Sequence, residues 1–155
     1  MHAKGLEDNG VGSCYKHMFC NNSDTSRKGS HSIVSERALR EIYFRVFEVA
    51  IAVQKPSAVM TSYNAVNGIY PAENADVIQK LIRGEWGIDG MVMTDWGTYD
   101  TVDAVEMVKA GNCWLTEGSK KYSRLLEQAV KEGRLSRAVL ERNVRSVIST
   151  MLKRV

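Results

Sequence analysis

Two rhythms of apolar residues alternate along this chain. Residues 11–20, 58–60, 91–94 and 112–115 are short apolar runs bounded by polar or glycine-containing stretches, and each reads as a strand. Between them the spacing turns helical. Ser35 is a good N-cap with Glu36 in the first turn, and Leu39, Ile42, Tyr43, Val46, Phe47 and Ala50 follow at i, i+3, i+4 and i+7. Pro56 forbids further helix. Residues 74–86 repeat the pattern through Val77, Ile78, Leu81 and Ile82, closed by Gly87. Residues 101–110 and 120–131 repeat it again, ended by Gly111 and Gly133. Ser136 caps a last helix whose stripe is Leu140, Val144, Val147, Ile148 and Met151. Residues 21–32 read as a polar loop, and residues 1–12 as a loop or boundary segment.

Strand–helix alternation with apolar strands predicts an α/β architecture, a parallel sheet covered by helices. A closed eight-stranded barrel takes ~250 residues, and three or four strands in 155 residues are too few to close one. The expectation is a partial TIM-type (β/α) barrel, parallel strands alternating with helices, over residues 13–155.

Composition narrows the function. With 44% hydrophobic and 25% charged residues the chain is ordinary globular protein, which excludes disorder. A net charge of +3, spread along the helices, argues against a nucleic-acid partner. No apolar stretch approaches the ~20 residues of a membrane span. The start lacks a basic-then-apolar layout, so no signal peptide is read, and a cytoplasmic protein is expected if Met1 is the native start. Cysteines 14, 20 and 113 form no Cys-x-x-Cys pair and argue against a disulfide framework. A strand through Cys14-x-x-His17-x-x-Cys20 puts the thiols on one face and the imidazole on the other, so the three cannot share an ion. No metal and no other cofactor is expected.

The chemistry concentrates in residues 90–100. An apolar run ends abruptly in Asp95, Trp96 and Gly97. Most aspartates after strands cap the next helix, and that reading fits. An acid at a parallel strand's C-terminal end, beside an aromatic platform, also suits nucleophilic attack on a sugar ring. This segment alone leaves both readings open.

Three segments together decide. The first is Lys16-His17, followed by Asn21-Asn22-Ser23-Asp24-Thr25-Ser26-Arg27 and Ser35-Glu36-Arg37-Ala38-Leu39-Arg40-Glu41-Ile42-Tyr43. The second is Val59-Met60-Thr61-Ser62-Tyr63-Asn64-Ala65-Val66-Asn67-Gly68. The third runs from Arg83-Gly84-Glu85-Trp86-Gly87-Ile88-Asp89-Gly90 into Met93-Thr94-Asp95-Trp96. In content, order and spacing they resemble glycoside hydrolase family 3, in its β-glucosidase branch. The resemblance implies Asp95 as catalytic nucleophile and Trp96 as its aromatic neighbour. It implies Lys16, His17 and Arg27 as hydroxyl-binding groups of the cleavage subsite, lined by Met60 and Tyr63. The implied substrate is a β-glucoside or oligosaccharide, and the implied reaction is retaining hydrolysis of terminal β-D-glucosyl residues. Lys16 and Arg27 would lie close enough to keep Asp95 ionised. Because Lys16 and His17 are adjacent, sharing one pocket requires an irregular strand end. The Lys-His-Phe-x-Gly-His-Gly signature of the family's β-N-acetylglucosaminidase branch is absent after His17.

Parts of that enzyme are not in this sequence. Whole members carry earlier barrel strands and a second α/β sandwich domain that normally supplies the glutamate general acid/base. A retaining glycosidase needs two carboxyl groups about 5–5.5 Å apart, and only one has a candidate here. Glu117 reads as a solvated loop residue, and Asp89 and Asp100 as ordinary turn or cap residues. Met18 stands where the family usually has Phe, and Cys113 near where Asp commonly follows Ala-Gly-Asn. The partners implied are the missing barrel and sandwich segments, without which unpaired strands and bare apolar faces are expected. The alternative function is a truncated, inactive sugar-binding remnant.

Overall fold

The computed structural model describes residues 2–153. Helix α1 (His2–Asp8) leads into strand β1 (Cys14–Met18), and β2 (His31–Ser32) follows a polar loop. A long helix then runs without a break through α2 (Glu36–Ala38), a π-helical turn (Leu39–Tyr43) and α3 (Phe44–Val53). Strands β3 (Ala58–Thr61) and β4 (Ala65–Val66) precede a π helix (Asp76–Glu85), after which comes β5 (Met91–Met93). Helices α4 (Ala104–Ala110), α5 (Lys120–Lys131) and α6 (Arg137–Leu152) complete the chain.

The sheet is parallel, in the order β1-β3-β5, so consecutive long strands are neighbours joined by helical crossovers. The pleat sorts side chains by face. Tyr15, Val59 and Val92 are register partners and point to the helices, where the Tyr15 hydroxyl donates to the Gln54 carbonyl at 2.8 Å. The next row, Cys14, Ala58 and Met91, points the other way, and Cys14 Sγ lies 3.9 Å from Met93 Sδ there. Under the helices Phe19, Leu39, Phe44, Ile78, Leu81, Ile82 and Trp86 form one buried cluster. Phe19 and Phe44 meet edge to face at 4.9 Å. Each such side chain contributes about 1.5–3 kcal/mol by leaving water.

Several boundaries differ from expectation, each for a visible reason. Residues 2–8 are helical, not a loop. Glu7 of α1 is tied to the sheet's lower edge, where its carboxylate accepts from Ser13 N–H at 2.7 Å and Ser57 N–H at 3.0 Å. The first strand is five residues long and not ten, because its ladder with β3 slips between Tyr15 and Met18. The loop before residue 35 and the segment after Asn64 pair as a small second sheet, β2 with β4, which the polar composition hid. The helix expected from residue 101 begins at Ala104, because Asp103 takes the cap and accepts from Val105 and Glu106 N–H. Residues 112–115 reach the sheet through a single bridge, Met93 to Trp114. Side chains complete the attachment there: Thr94 Oγ1 accepts from Thr116 N–H at 2.8 Å, and Thr116 Oγ1 donates to the Thr94 carbonyl at 2.6 Å.

The expected apolar stripes divide in two. In the long helix Leu39 is buried and Phe47 packs on the core, whereas Ile42 and Val46 are 61% and 70% exposed. Val49 and Val53 extend this outer face. In α6, Val144, Ile148 and Met151 face solvent. Both exposed apolar faces lie on helices, one on the long helix and one on α6.

Candidate active site at the strand ends

Parallel strands present their C-terminal ends together, and the chemistry-bearing residues gather there. Asp95, 7% exposed, lies two residues past the end of β5. Its Oδ1 accepts from the Trp96 N–H at 2.7 Å, and its backbone carbonyl accepts from the buried Thr98 hydroxyl at 2.8 Å. These bonds turn the carboxylate back over the strand end. Gly97, at φ +67°, makes the turn that an L side chain would resist. The cap reading of Asp95 fails, since Asp103 caps the next helix.

His17, at the irregular end of β1, brings Nε2 to 3.4 Å from Asp95 Oδ2. Tyr63, 4% exposed beyond the end of β3, donates its hydroxyl to the Trp96 carbonyl. Burial first, and then the Asp95 charge and a hydrogen bond to it, push the Tyr63 phenol up to about 12. Glu117 adds to that rise, which places its charge near the same ring. Arg27 lies over the Tyr63 ring at 4.5 Å and opposes the rise, while its guanidinium pairs with Asp24 at 2.9 Å. Met60 is buried in β3 beside Met93. The Trp96 indole is 52% exposed, available as a stacking surface.

The structure therefore brings His17, Tyr63, Trp96 and Asp95 together, with Arg27 behind the tyrosine. Lys16 stands apart from the carboxylate. Together with His17 it lines an open cleft of about 440 Å³ bounded by Asn21, Asn22 and Tyr43. Among the described residues no ion pair joins Lys16 or Arg27 to Asp95, so His17 is the nearest basic group. Of the three residues weighed as metal ligands, Cys20 is buried in the core, Cys14 faces Met93 and His17 faces Asp95.

A neutral Tyr63 hydroxyl can remain a donor throughout the physiological range. With a folded pKa near 12 against an ordinary 10, the folded state holds its proton more tightly than the unfolded chain does. Stability is therefore untouched below pH 10 and falls as pH rises from 10 towards 12. Ultraviolet titration of the phenols should lose its latest component in Tyr63→Phe, while Tyr15, which burial and the Glu7 charge also raise, remains. A Tyr63 that ionises at pH 10 would contradict the buried contact.

One residue of this site carries no sequence signal. Lys28 Nζ donates to the Gly97 carbonyl at 3.1 Å, pairs with Asp100 at 2.6 Å, and lies 5.5 Å from the centre of the Tyr63 ring. It straps the Arg27 loop to the loop carrying Trp96. Asp100 is thus a strap partner and not an ordinary turn residue, while Asp89 at the opposite end of β5 pairs with Lys153 at 2.6 Å. An exposed pair contributes only about 0.2–1 kcal/mol, so Lys28→Met should leave global stability nearly unchanged. Amide exchange over residues 96–101 should nevertheless accelerate, and more so at low salt. Unchanged exchange would mean that Thr98 and Tyr63 hold the loop alone.

An open parallel sheet whose strand ends converge on one carboxylate, an imidazole and an aromatic platform has the layout of a segment of a (β/α) barrel. The glycosyl hydrolase family 3 N-terminal domain matches residues 1–150, and the chain belongs to that family. "Probable beta-glucosidase I" of Aspergillus clavatus is 40% identical over 150 residues, which is 96% of this chain and 18% of that protein. The Aspergillus oryzae protein of the same description is 38% identical over 95% of this chain and 17% of its own length. Among solved structures, β-glucosidase 3B of Thermotoga neapolitana in complex with glucose superposes with a TM-score of 0.88 at 41% identity, over 97% of this chain and 22% of that one. The β-glucosidase of Kluyveromyces marxianus in complex with glucose gives 0.91 at 31% identity, over 97% and 18%. The architecture is that of a partial barrel, and the chain spans less than a quarter of the length of each of these relatives.

Proposed function

We propose that this chain is the nucleophile-bearing part of a retaining β-glucosidase catalytic domain, acting on terminal β-D-glucosyl residues. The observation that carries the reading is the Asp95 carboxylate at the end of β5, held by Trp96 N–H and faced by His17 and Tyr63. Asp95 Oδ2 attacks the anomeric carbon, the aglycone oxygen leaves with a proton from a general acid, and water then releases the sugar. Trp96 stacks on the sugar. His17, and Lys16 across the cleft, donate to hydroxyls whose bonds strengthen as the ring flattens toward an oxocarbenium ion. Arg27 fixes Tyr63, and Met60 packs beneath.

The general acid comes from outside the chain. Glu117 stands at the rim, at φ +73° and exposed, with its charge felt by Tyr63. The missing barrel strands and the second domain are therefore the required partners. Supplying them, by fusion or co-expression with the remainder of a family enzyme, should yield hydrolysis of an aryl β-glucoside with retention. Inversion at the anomeric carbon would defeat the nucleophile assignment.

A second reading is favoured by the lone carboxylate in a half-built cleft: by itself the chain binds sugar without turning it over. Glucose or gluconolactone should then perturb the Trp96 and His17 signals, with no aryl glucoside cleaved. Hydrolysis by the purified chain alone would remove this reading and make Glu117 the first residue to mutate.

A further inference from the structure

At the other end of the sheet lies a second cavity that the glycosidase reading does not use. It encloses about 280 Å³ between the π helix, the Gly111 turn and α6, with Gln79, Arg83, Arg142, Asn143, Ser146 and the Asp89 carboxylate on its walls. Two guanidinium groups converge there. Arg83 donates through Nη1 to the carbonyls of Ile88, at 2.8 Å, and Gly90, and through Nη2 to Cys113 Sγ at 3.5 Å. Arg142 donates to Asn143 Oδ1 at 3.2 Å and to the Lys109 carbonyl at 3.3 Å. Among the described residues neither arginine has a carboxylate within ion-pair distance. The one acid of the cavity, Asp89, is taken by Lys153 at 2.6 Å. Burial lowers the Arg83 pKa, opposed by Cys113 and by the Asp89 charge, with the nearby Arg142 charge adding a smaller push in the same direction as burial.

We propose that this cavity is an anion site, in which Arg83 and Arg142 hold a tetrahedral oxyanion such as inorganic phosphate or sulfate. A half-buried guanidinium hydrogen-bonded only to carbonyls and a thiol, whose nearest carboxylate, Asp89, is paired with Lys153, is only partly compensated, and a bound oxyanion would supply further counter-charge. The tetrahedral class follows from the two guanidinium groups, which approach from different elements, with the Ser146 hydroxyl on the same wall. A planar carboxylate would satisfy only one of the two guanidinium groups. The Gln79 and Asn143 amide N–H groups are already given to the Ala110, Val108 and Asn112 carbonyls. The site is independent of the glycosidase reading, since it lies at the end of the sheet opposite Asp95.

The whole chain provides the test. Phosphate line width in phosphorus NMR, and the thermal unfolding midpoint, are followed against phosphate or sulfate at ionic strength held constant with sodium chloride. Saturable binding of one anion per chain is expected, with acetate at least tenfold weaker. Arg142→Gln should weaken phosphate at least tenfold. Cys113→Asp places a carboxylate within reach of Arg83, and it should raise the unfolding midpoint while abolishing the response to phosphate. Neither substitution touches the Asp95 site, so sugar binding measured alongside should be unchanged. A response that chloride reproduces at equal ionic strength, acetate binding as tight as phosphate, or variants that bind phosphate like the parent would each overturn the assignment. The phosphorus measurement needs no cooperative unfolding and stays informative if a variant is unstable.

Discussion

With the missing barrel and sandwich segments supplied, Asp95→Asn should lower aryl β-glucoside turnover by several orders of magnitude, the scale of losing a covalent nucleophile. The substitution keeps shape and removes one charge. An amide oxygen can still accept from Trp96 N–H, and the Thr98 bond goes to the backbone carbonyl, so the turn at Gly97 persists. What disappears is the carboxylate 3.4 Å from His17. The variant should fold, bind gluconolactone, and accumulate no glycosyl-enzyme under mass spectrometry. Asp89→Asn is the proper control, since that carboxylate faces Lys153 at the far end of the strand. Asp100→Asn, through the Lys28 strap, should cost at most about tenfold, because an exposed pair holds only about 1 kcal/mol. An Asp95→Asn enzyme with near-parental turnover would refute the assignment.

The largest effect on stability is expected at Gly90. A Cβ there would land on the Ser57 carbonyl group, with the carbonyl carbon 2.7 Å away, where β3 and β5 begin to pair. Ser57's carbonyl already accepts the Met91 N–H at 2.9 Å, and the Gly90 carbonyl accepts from Arg83. The obstacle is backbone, so nothing can rotate out of the way, and the strands must part. Gly90→Ala should cost about 3 kcal/mol or more, the upper end for overpacking. Gly5, in α1 with nothing within 4 Å, offers the contrast. Gly5→Ala should be neutral or stabilising by up to about 1 kcal/mol. Denaturant midpoints of the two variants decide the matter, and a Gly90→Ala chain within 1 kcal/mol of the parent would show that the strands can separate cheaply there.

Much of this was readable in the sequence because local rules and tertiary packing agree. Val77, Ile78, Leu81 and Ile82 fall on one face and are buried, and Ser35 and Ser136 cap the helices that follow them. The order of the strands followed from the alternation. The misses share a cause, contacts made at long range by residues with no local signature. Glu7 joins α1 to Ser57, fifty residues on. Lys28 meets Asp100 seventy-two residues away. His31 and Ser32 become a strand only because Ala65 and Val66 lie beside them. The apolar stripe of the long helix was visible, but periodicity cannot tell a side chain packed on this sheet from one prepared for an absent neighbour. Hence Leu39 and Ile42 read alike, although one is 7% and the other 61% exposed. In the candidate site, the family resemblance pointed to Asp95, His17 and Tyr63, which lie together at the strand ends. It could not show that Arg27 would be spent on the Tyr63 ring and Asp24.

The π-helical turns have an evolutionary corollary. At Phe44 the amide bonds to the Leu39 carbonyl, and at Trp86 to that of Leu81, each five residues back where an α-helix would span four. Each turn thus stores one residue of slack inside a helix. A relative shorter by one amino acid in either stretch can keep both flanks in place by tightening the turn, with Phe19, Phe44 and Ile78 still meeting in the core. Alignments of such relatives with this chain should open single-residue gaps within these two helices, where gaps are otherwise rare, and leave the strand-end motifs in step.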